Sequence, residues 1–320
     1  MQKLNILNFL KAFVFLLLAA LILETVPVMA ASHSYYIIDP NSGVLSSHGN
    51  SGGYSSLSGS STDPGNPLNS GAGNNKSFNW SGYTATGGKF TSVSGTWNVP
   101  SITSTGNLQA DAIWVGIGGV NSGDLIQAGT QAVADSSGQI SYQAWMEELP
   151  GPSNQLPLTV NSGDSVTVSI SQQTNDQWSV SLTDNTTGKN YQTTTTYNSS
   201  LSSADWIIEM PASARNFIPL DNFGTVQFSN ASAIKDGNTV TPAQANAQTI
   251  TMVNGNGDGL ATPSTINSDG ASFSVSRSSL NVTPLTIPYV RGVGVSVGFG
   301  FRHSRGWRNY LRSLQLGSND

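Results

Sequence analysis

From about residue 75 the chain alternates hydrophobic and polar positions with a period of two, in short runs separated by turn residues. Three such runs are SVTVSISQ at Ser165, WSVSLTD at Trp178 and YQTTTTY at Tyr191, the last two joined by the turn Asn185-Thr186-Thr187-Gly188. Side chains two apart on a strand share a face, so each run buries one side and wets the other. Consecutive runs across a tight turn pair antiparallel. TVQFSNASAI from Thr225, AQTITMV from Ala247 and ASFSVSRS from Ala271 carry the pattern to about residue 277. No stretch sustains a helical period over about 12 residues. The pattern predicts an all-β domain over 75–277, built as a sandwich.

The ends of the chain read differently. Residues 1–30 hold Lys3 and Lys11, an apolar run from Ala12 to Leu23, then Pro27 and the small-residue site ending at Ala30. This is the pattern of a secretory signal peptide cleaved after Ala30. The run is too short to span a bilayer, which needs about 20 residues, so a secreted, extracellular protein without a stable membrane anchor is expected. Residues 31–74, rich in Ser, Gly and Asn, cannot bury enough surface to fold alone and read as a pro-segment or a linker. Residues 278–320 form a Gly- and Arg-rich extension. It is either a contact for an anionic polymer or membrane or a solvated tail.

Composition narrows the chemistry. Only 10% of the 320 residues are charged, against roughly 25% in an average soluble protein. Cysteine is absent, which removes disulfides, thiol nucleophiles and Cys-based metal sites. Histidine occurs only as His33, His48 and His303, so the central region can build neither a Ser-His-Asp triad nor a His-ligated zinc site. Between residues 32 and 290 there are 16 acidic and 6 basic side chains, which argues against nucleic acid as a partner. With so few cations, protonating the carboxylates leaves little repulsion, and the body suits either a secreted protein that works in acid or a wall protein at neutral pH. No nucleotide or cation motif appears, and no cofactor or metal is expected.

Three strand-like segments carry unusual polar residues. In AIWVGIGG (112–119), Trp114, Gly116 and Gly118 share a face that reads as a shallow groove for an extended peptide or sugar, or as a Trp completing the core. In DLIQAGTQ (124–131), Leu125, Gln127, Gly129 and Gln131 share a face. The Gln127 amide could donate to a developing oxyanion. In ADWIIEM (204–210), Asp205, Ile207 and Glu209 share a face, and a Glu flanked by aliphatics is desolvated toward a pKa useful for proton transfer. Gln143, Trp145 and Glu147 of YQAWMEELP form a comparable face.

These segments, with NWSGY at Asn79, GTWNVPS at Gly95 and LTDNTTGKNY at Leu182, occur in an order that resembles the glutamic peptidases, the eqolisin family of secreted acid endopeptidases. The resemblance covers residues 78–277. It implies two large curved antiparallel sheets of concanavalin-like or jelly-roll type, and a catalytic pair mapping onto Gln127 and Glu209. Ionised Glu209 would activate water and later protonate the leaving amine, Gln127 would stabilise the oxyanion, and no metal or covalent intermediate would be needed. Trp114, Tyr142, Trp145 and Glu147 match cleft-lining or supporting positions; Asn79 and Trp80 also match, as catalytic support or as structure. The resemblance further implies protein or peptide substrates, pepstatin insensitivity and a monomer. The chain departs from the family at Gly118 and Gln131, where carboxylates are usual, and in lacking disulfides. Two other readings stay open: a glycosidase using Glu147 and Glu209, and a non-catalytic carbohydrate- or wall-binding sandwich.

Overall fold

The computed structural model describes residues 75–120, 122–213 and 216–279, preceded by the backbone of two short strands. The expected signal peptide, the rest of 31–74 and the extension from residue 280 onward lie outside the described residues. Strands β1 (Tyr35–Ile38) and β2 (Leu45–His48) pair antiparallel, and β1 meets β3 (Asn75–Ser77) at Ile37 and Ser77. This part of 31–74 therefore pairs its backbone onto the domain.

Strands β4 (Trp80–Thr86) and β5 (Phe90–Asn98) lead into three long neighbours, β6 (Gln109–Gly118), β7 (Leu125–Ala134) and β8 (Ile140–Glu148), with β9 (Asn154–Gln155) outside β8. The runs at Ser165, Trp178 and Tyr191 form the meander β10 (Ser165–Thr174), β11 (Gln177–Asp184) and β12 (Lys189–Thr196). Its second turn ends on Gly188, whose φ of 72° is open to glycine without steric cost. Strand β13 (Ser203–Glu209) inserts between β4 and β6, and β14 (Ala212–Ser213) and β15 (Asn216–Phe217) form a small ladder after it. The chain continues through β16 (Thr225–Lys235), β17 (Asn238–Val240), β18 (Gln248–Val253), β19 (Gly259–Pro263) and β20 (Phe273–Arg277).

Among the described residues there is no helix, and hydrogen bonding joins 18 strands into one network. The ladders are antiparallel except for β3 against β18. The long strand β16 ties the network together, pairing with β20 through Thr225–Phe228 and with β5 through Ser229–Lys235. Burial separates two kinds of strand. Strands β10 and β11 alternate buried and half-exposed residues, as a sheet with one wet face should. Strands β4, β6, β7 and β13 are buried on both faces.

One face of these central strands, with Ile113, Val115 and Ile117 of β6 and Ile126 and Ala128 of β7, joins the main core shared with Val168 and Val180. The other face carries a second cluster around Trp80, Trp114, Trp145 and Ile207. In that cluster Trp145, Gly129, Trp114, Ile207 and Gly82 stand side by side across β8, β7, β6, β13 and β4. The two glycines let the neighbouring strand backbones approach closely: a Cβ on Gly129 would sit 2.0 Å from the Ile113 carbonyl oxygen, and one on Gly82 2.1 Å from that of Trp206. Trp80 and Trp114 meet edge to face with ring centroids 4.8 Å apart.

Candidate active site

The polar residues of this second face occupy two rows that flank the tryptophans. In one row Glu147, Gln127, Gly116 and Asp205 are cross-strand neighbours on β8, β7, β6 and β13. In the other, Gln143, Gln131, Ala112 and Glu209 are neighbours, with Trp80 beyond. Gln127 and Glu209 thus share a face, two strands apart and offset by four positions along β6. Both are fully buried, so each polar atom needs a partner to offset its lost hydration.

Glu209 is met by two neutral N–H donors. Asn79 Nδ2 donates to Oε1 at 3.1 Å and Trp114 Nε1 donates to Oε2 at 2.9 Å. The Asn79 amide is itself oriented: Ser77 Oγ donates to its Oδ1 at 3.4 Å and accepts from the backbone N–H groups of Asn79 and Trp80. Gln127 is held from the other side, its Nε2 donating to Glu147 Oε2 at 2.7 Å. That bond uses one of two amide hydrogens and leaves the second for another acceptor. Trp114 spans the two rows: its Nε1 binds Glu209, while its Cζ3 lies 2.9 Å from where a Cβ of Gly116 would be.

The structure corrects two expectations. The groove expected over Gly116 and Gly118 is filled, because Trp114 and Leu125 fold over Gly116 and the Asp124 carbonyl and carboxylate crowd Gly118. Gly118 has φ +91°, and a Cβ there would meet Asp124 oxygens at 2.6 and 2.9 Å, so the side chain usual in the family has no room here. Tyr142 stands on the opposite face of β8 from Trp145 and Glu147. It packs against the main core, and its hydroxyl accepts from the Ile102 N–H at 3.4 Å. Of the six residues expected at the site, Gln127, Glu209, Trp114, Trp145 and Glu147 share the face and Tyr142 does not.

Two further groups emerge only in three dimensions. Asn79 was legible as a match but not as the partner of Glu209, 130 residues away in sequence. Asp205, fully buried, has Ser203 Oγ 3.1 Å from Oδ2, and burial pushes its carboxyl well above the usual range. Asp205, in the same row as Gln127, therefore holds its proton to higher pH than an exposed carboxyl does.

The sequence profile of the Peptidase A4 family, the eqolisins, matches residues 78–277. The chain belongs to that family, whose members are glutamic-type peptidases. Aspergillopepsin-2 of Aspergillus niger is 29% identical over 201 residues, covering 54% of this chain and 70% of its own. Scytalidopepsin B of Scytalidium lignicola is 33% identical over 176 residues, covering 51% of this chain and 66% of its own. Among solved structures, scytalido-glutamic peptidase with a peptide-based transition state analog superimposes with a TM-score of 0.53 at 29% identity, over 62% of this chain and 98% of that one. A second structure of that enzyme, with a transition state analog inhibitor, matches with the same TM-score at 27% identity.

Proposed function

We propose that this eqolisin is a secreted acid endopeptidase with Glu209 as general base and acid and Gln127 as oxyanion donor. The observation that carries the reading is the pairing of Glu209 with two N–H donors on the same buried face as an oriented Gln127 amide. Neutral donors keep Glu209 able to accept a proton from water, which attacks the scissile carbonyl. The free N–H of Gln127 receives the charge that develops on the carbonyl oxygen, and Glu147 keeps the amide from rotating away. The proton on Glu209 then passes to the leaving amine. Gln127 donates to Glu147, and in this reading the water and the carbonyl come between its second N–H and Glu209 as the site opens.

The peptide-analog complexes of the related scytalido-glutamic peptidase support a peptide substrate. The main core shared by β6, β7, β10 and β11 supports two facing sheets within the single network. The complete burial of Gln127 and Glu209 supports a closed form that must open to admit a chain, in keeping with residues 31–74 as a removable pro-segment and 1–30 as an export signal. The glycosidase reading fares worse. Glu147 is turned toward Gln127, and Glu209 toward Asn79 and Trp114, so the two carboxyls are not aimed at one bond as paired glycosidase carboxyls are.

The test is digestion of a denatured protein by the processed enzyme from pH 2 to 7 with pepstatin present. Cleavage in acid that disappears in Glu209→Gln is expected. Cleavage that survives this substitution, or none at any pH from folded, processed protein, would overturn the reading.

A further inference from the structure

Two buried amides on the face that carries Glu209 are not used by the proposed chemistry. Gln131 of β7 is 4% exposed and Gln143 of β8 is 8% exposed, and the two are direct cross-strand partners. Asp111 of β6, another buried polar residue, lies instead on the core side with Ile113 and Val115. Ala112 and then Glu209 continue the row that Gln131 and Gln143 begin. The β6 position between Gln131 and Glu209 therefore carries only a methyl group.

Among the described residues neither amide has a hydrogen-bond partner. In the neighbouring row Gln127 Oε1 and Asp205 Oδ1 are sealed from solvent and unpartnered, but no atom of Gln131 or Gln143 is. The surface that these two residues keep is thus at their amide heads. Burial also loosens in their direction. Gln127 and Glu209 are fully buried, and the pair beyond Gln131 and Gln143 on the same face, Val133 and Ser141, is half-buried. The amides stand between Glu209 and this more open rim. Nearly buried amides without partners have lost most of their hydration and gained nothing in exchange, a cost that a bound polar group removes.

We propose that Gln131 and Gln143 form a charge-free subsite that takes an uncharged polar side chain of the peptide, a carboxamide above all. This rests on the peptidase reading and deepens it. A substrate Gln or Asn offers one acceptor and two donors, the same inventory as each enzyme amide, so the three groups can satisfy one another. An apolar side chain would cover the two amides and leave them unpaired. A charged one would be desolvated where this row of the sheet holds no Lys or Arg, and where the nearest acid is Glu209 itself. Neighbouring strands lie about 4.8 Å apart and an extended chain advances about 3.4 Å per residue. A peptide lying across the row with its scissile bond at Glu209 therefore meets Gln131 about three residues away and Gln143 about four.

The experiment is cleavage of peptides identical except at one position, which carries Gln, Leu, Lys or Glu and is moved through the residues on both sides of the scissile bond. For the processed enzyme, one position about three or four residues from the bond should favour Gln over Leu by about tenfold in kcat/KM. In Gln131→Leu/Gln143→Leu that preference should vanish while the Leu peptide is cleaved at least as well as before, a change that mere loss of structure would not give. Gln131→Glu, assayed at about pH 5 where an ordinary Glu is ionised, should instead favour Lys at the same position. No position that favours Gln, a preference that survives in the double variant, or a Gln131→Glu enzyme without the Lys preference overturns the subsite. The same peptides are titrated into full-length Glu209→Gln. Tighter binding of the Gln peptide there, with no cleavage by the parent at any pH, counts against the peptidase reading and leaves the subsite standing.

Discussion

Glu209 is tied down by groups that carry no charge of their own. Asn79 and Trp114 N–H groups meet the carboxyl without adding a charge, and favour its ionised form less than a salt bridge to Arg or Lys would. Hydrogen bonds to charged groups contribute about 1.5–3 kcal/mol each, so deleting one should cost on the order of 10- to 100-fold in kcat with little change in KM. Trp114→Phe keeps the ring and removes the donor, and Asn79→Ala removes the other; steady-state kinetics in acid checks both. Gln127→Ala should lower kcat by about 10²-fold or more if its amide meets the oxyanion. At this scale the sequence was informative about identity and poor about partners. Glu209 could be singled out because aliphatics flank it and Gln127 through the motif resemblance, whereas nothing in the segment NWSGY says that its Asn reaches a residue 130 positions away. Asp111 did leave a signal: it shares the face of Ile113, Val115 and Ile117, and a carboxyl in that position must be buried.

The strand pairs β6–β7 and β13–β4 show what the alternation could and could not convey. Period two placed Gln127 with Gly129 and Gln131, and Trp145 with Glu147, on common faces, and the structure keeps them so. The same parity separates Tyr142 from Trp145, and the structure sides with the parity. What the pattern could not show is that both faces of β6, β7 and β13 are buried, because one strand read alone does not reveal what packs against it. Nor could it show that Gly129 and Gly82 stand where the backbone of the neighbouring strand comes too close for a side chain. Gly129→Ala would push a methyl group into the Ile113 carbonyl, a displacement the paired strands cannot absorb. Overpacking of this kind costs about 3 kcal/mol, so thermal unfolding should shift down by roughly 6–12 °C. Gly123→Ala, where a Cβ meets nothing within 4 Å, is the matched control and should leave the midpoint unchanged.

Over the whole molecule the buried acids set a direction for stability with pH. Asp111, Asp205 and Asp221 have carboxyls raised by burial in the folded state. Folded protein therefore holds protons that the unfolded chain releases above about pH 4. Their contribution is full below that value and is lost as pH rises through the folded pKa, which for Asp111 is about 7. The exposed turn acids Asp135 and Asp269, lowered by hydrogen bonds from Ser137 and Ser272, act in the opposite sense only as pH falls below about 4. The unfolding midpoint, measured in Glu209→Gln to prevent self-digestion, should fall steadily from pH 4 to 7, and Asp205→Asn should flatten part of that slope. Alternating runs and turn residues are local properties of a chain, and they sufficed to predict an all-β domain, while the family was legible in the order of the motifs. Which carboxyls are buried, which donors hold Glu209 and which glycines face a neighbouring backbone depend on strands brought together from distant parts of the sequence. Those contacts come from register and burial, which no single segment contains, and only the tertiary structure decided them.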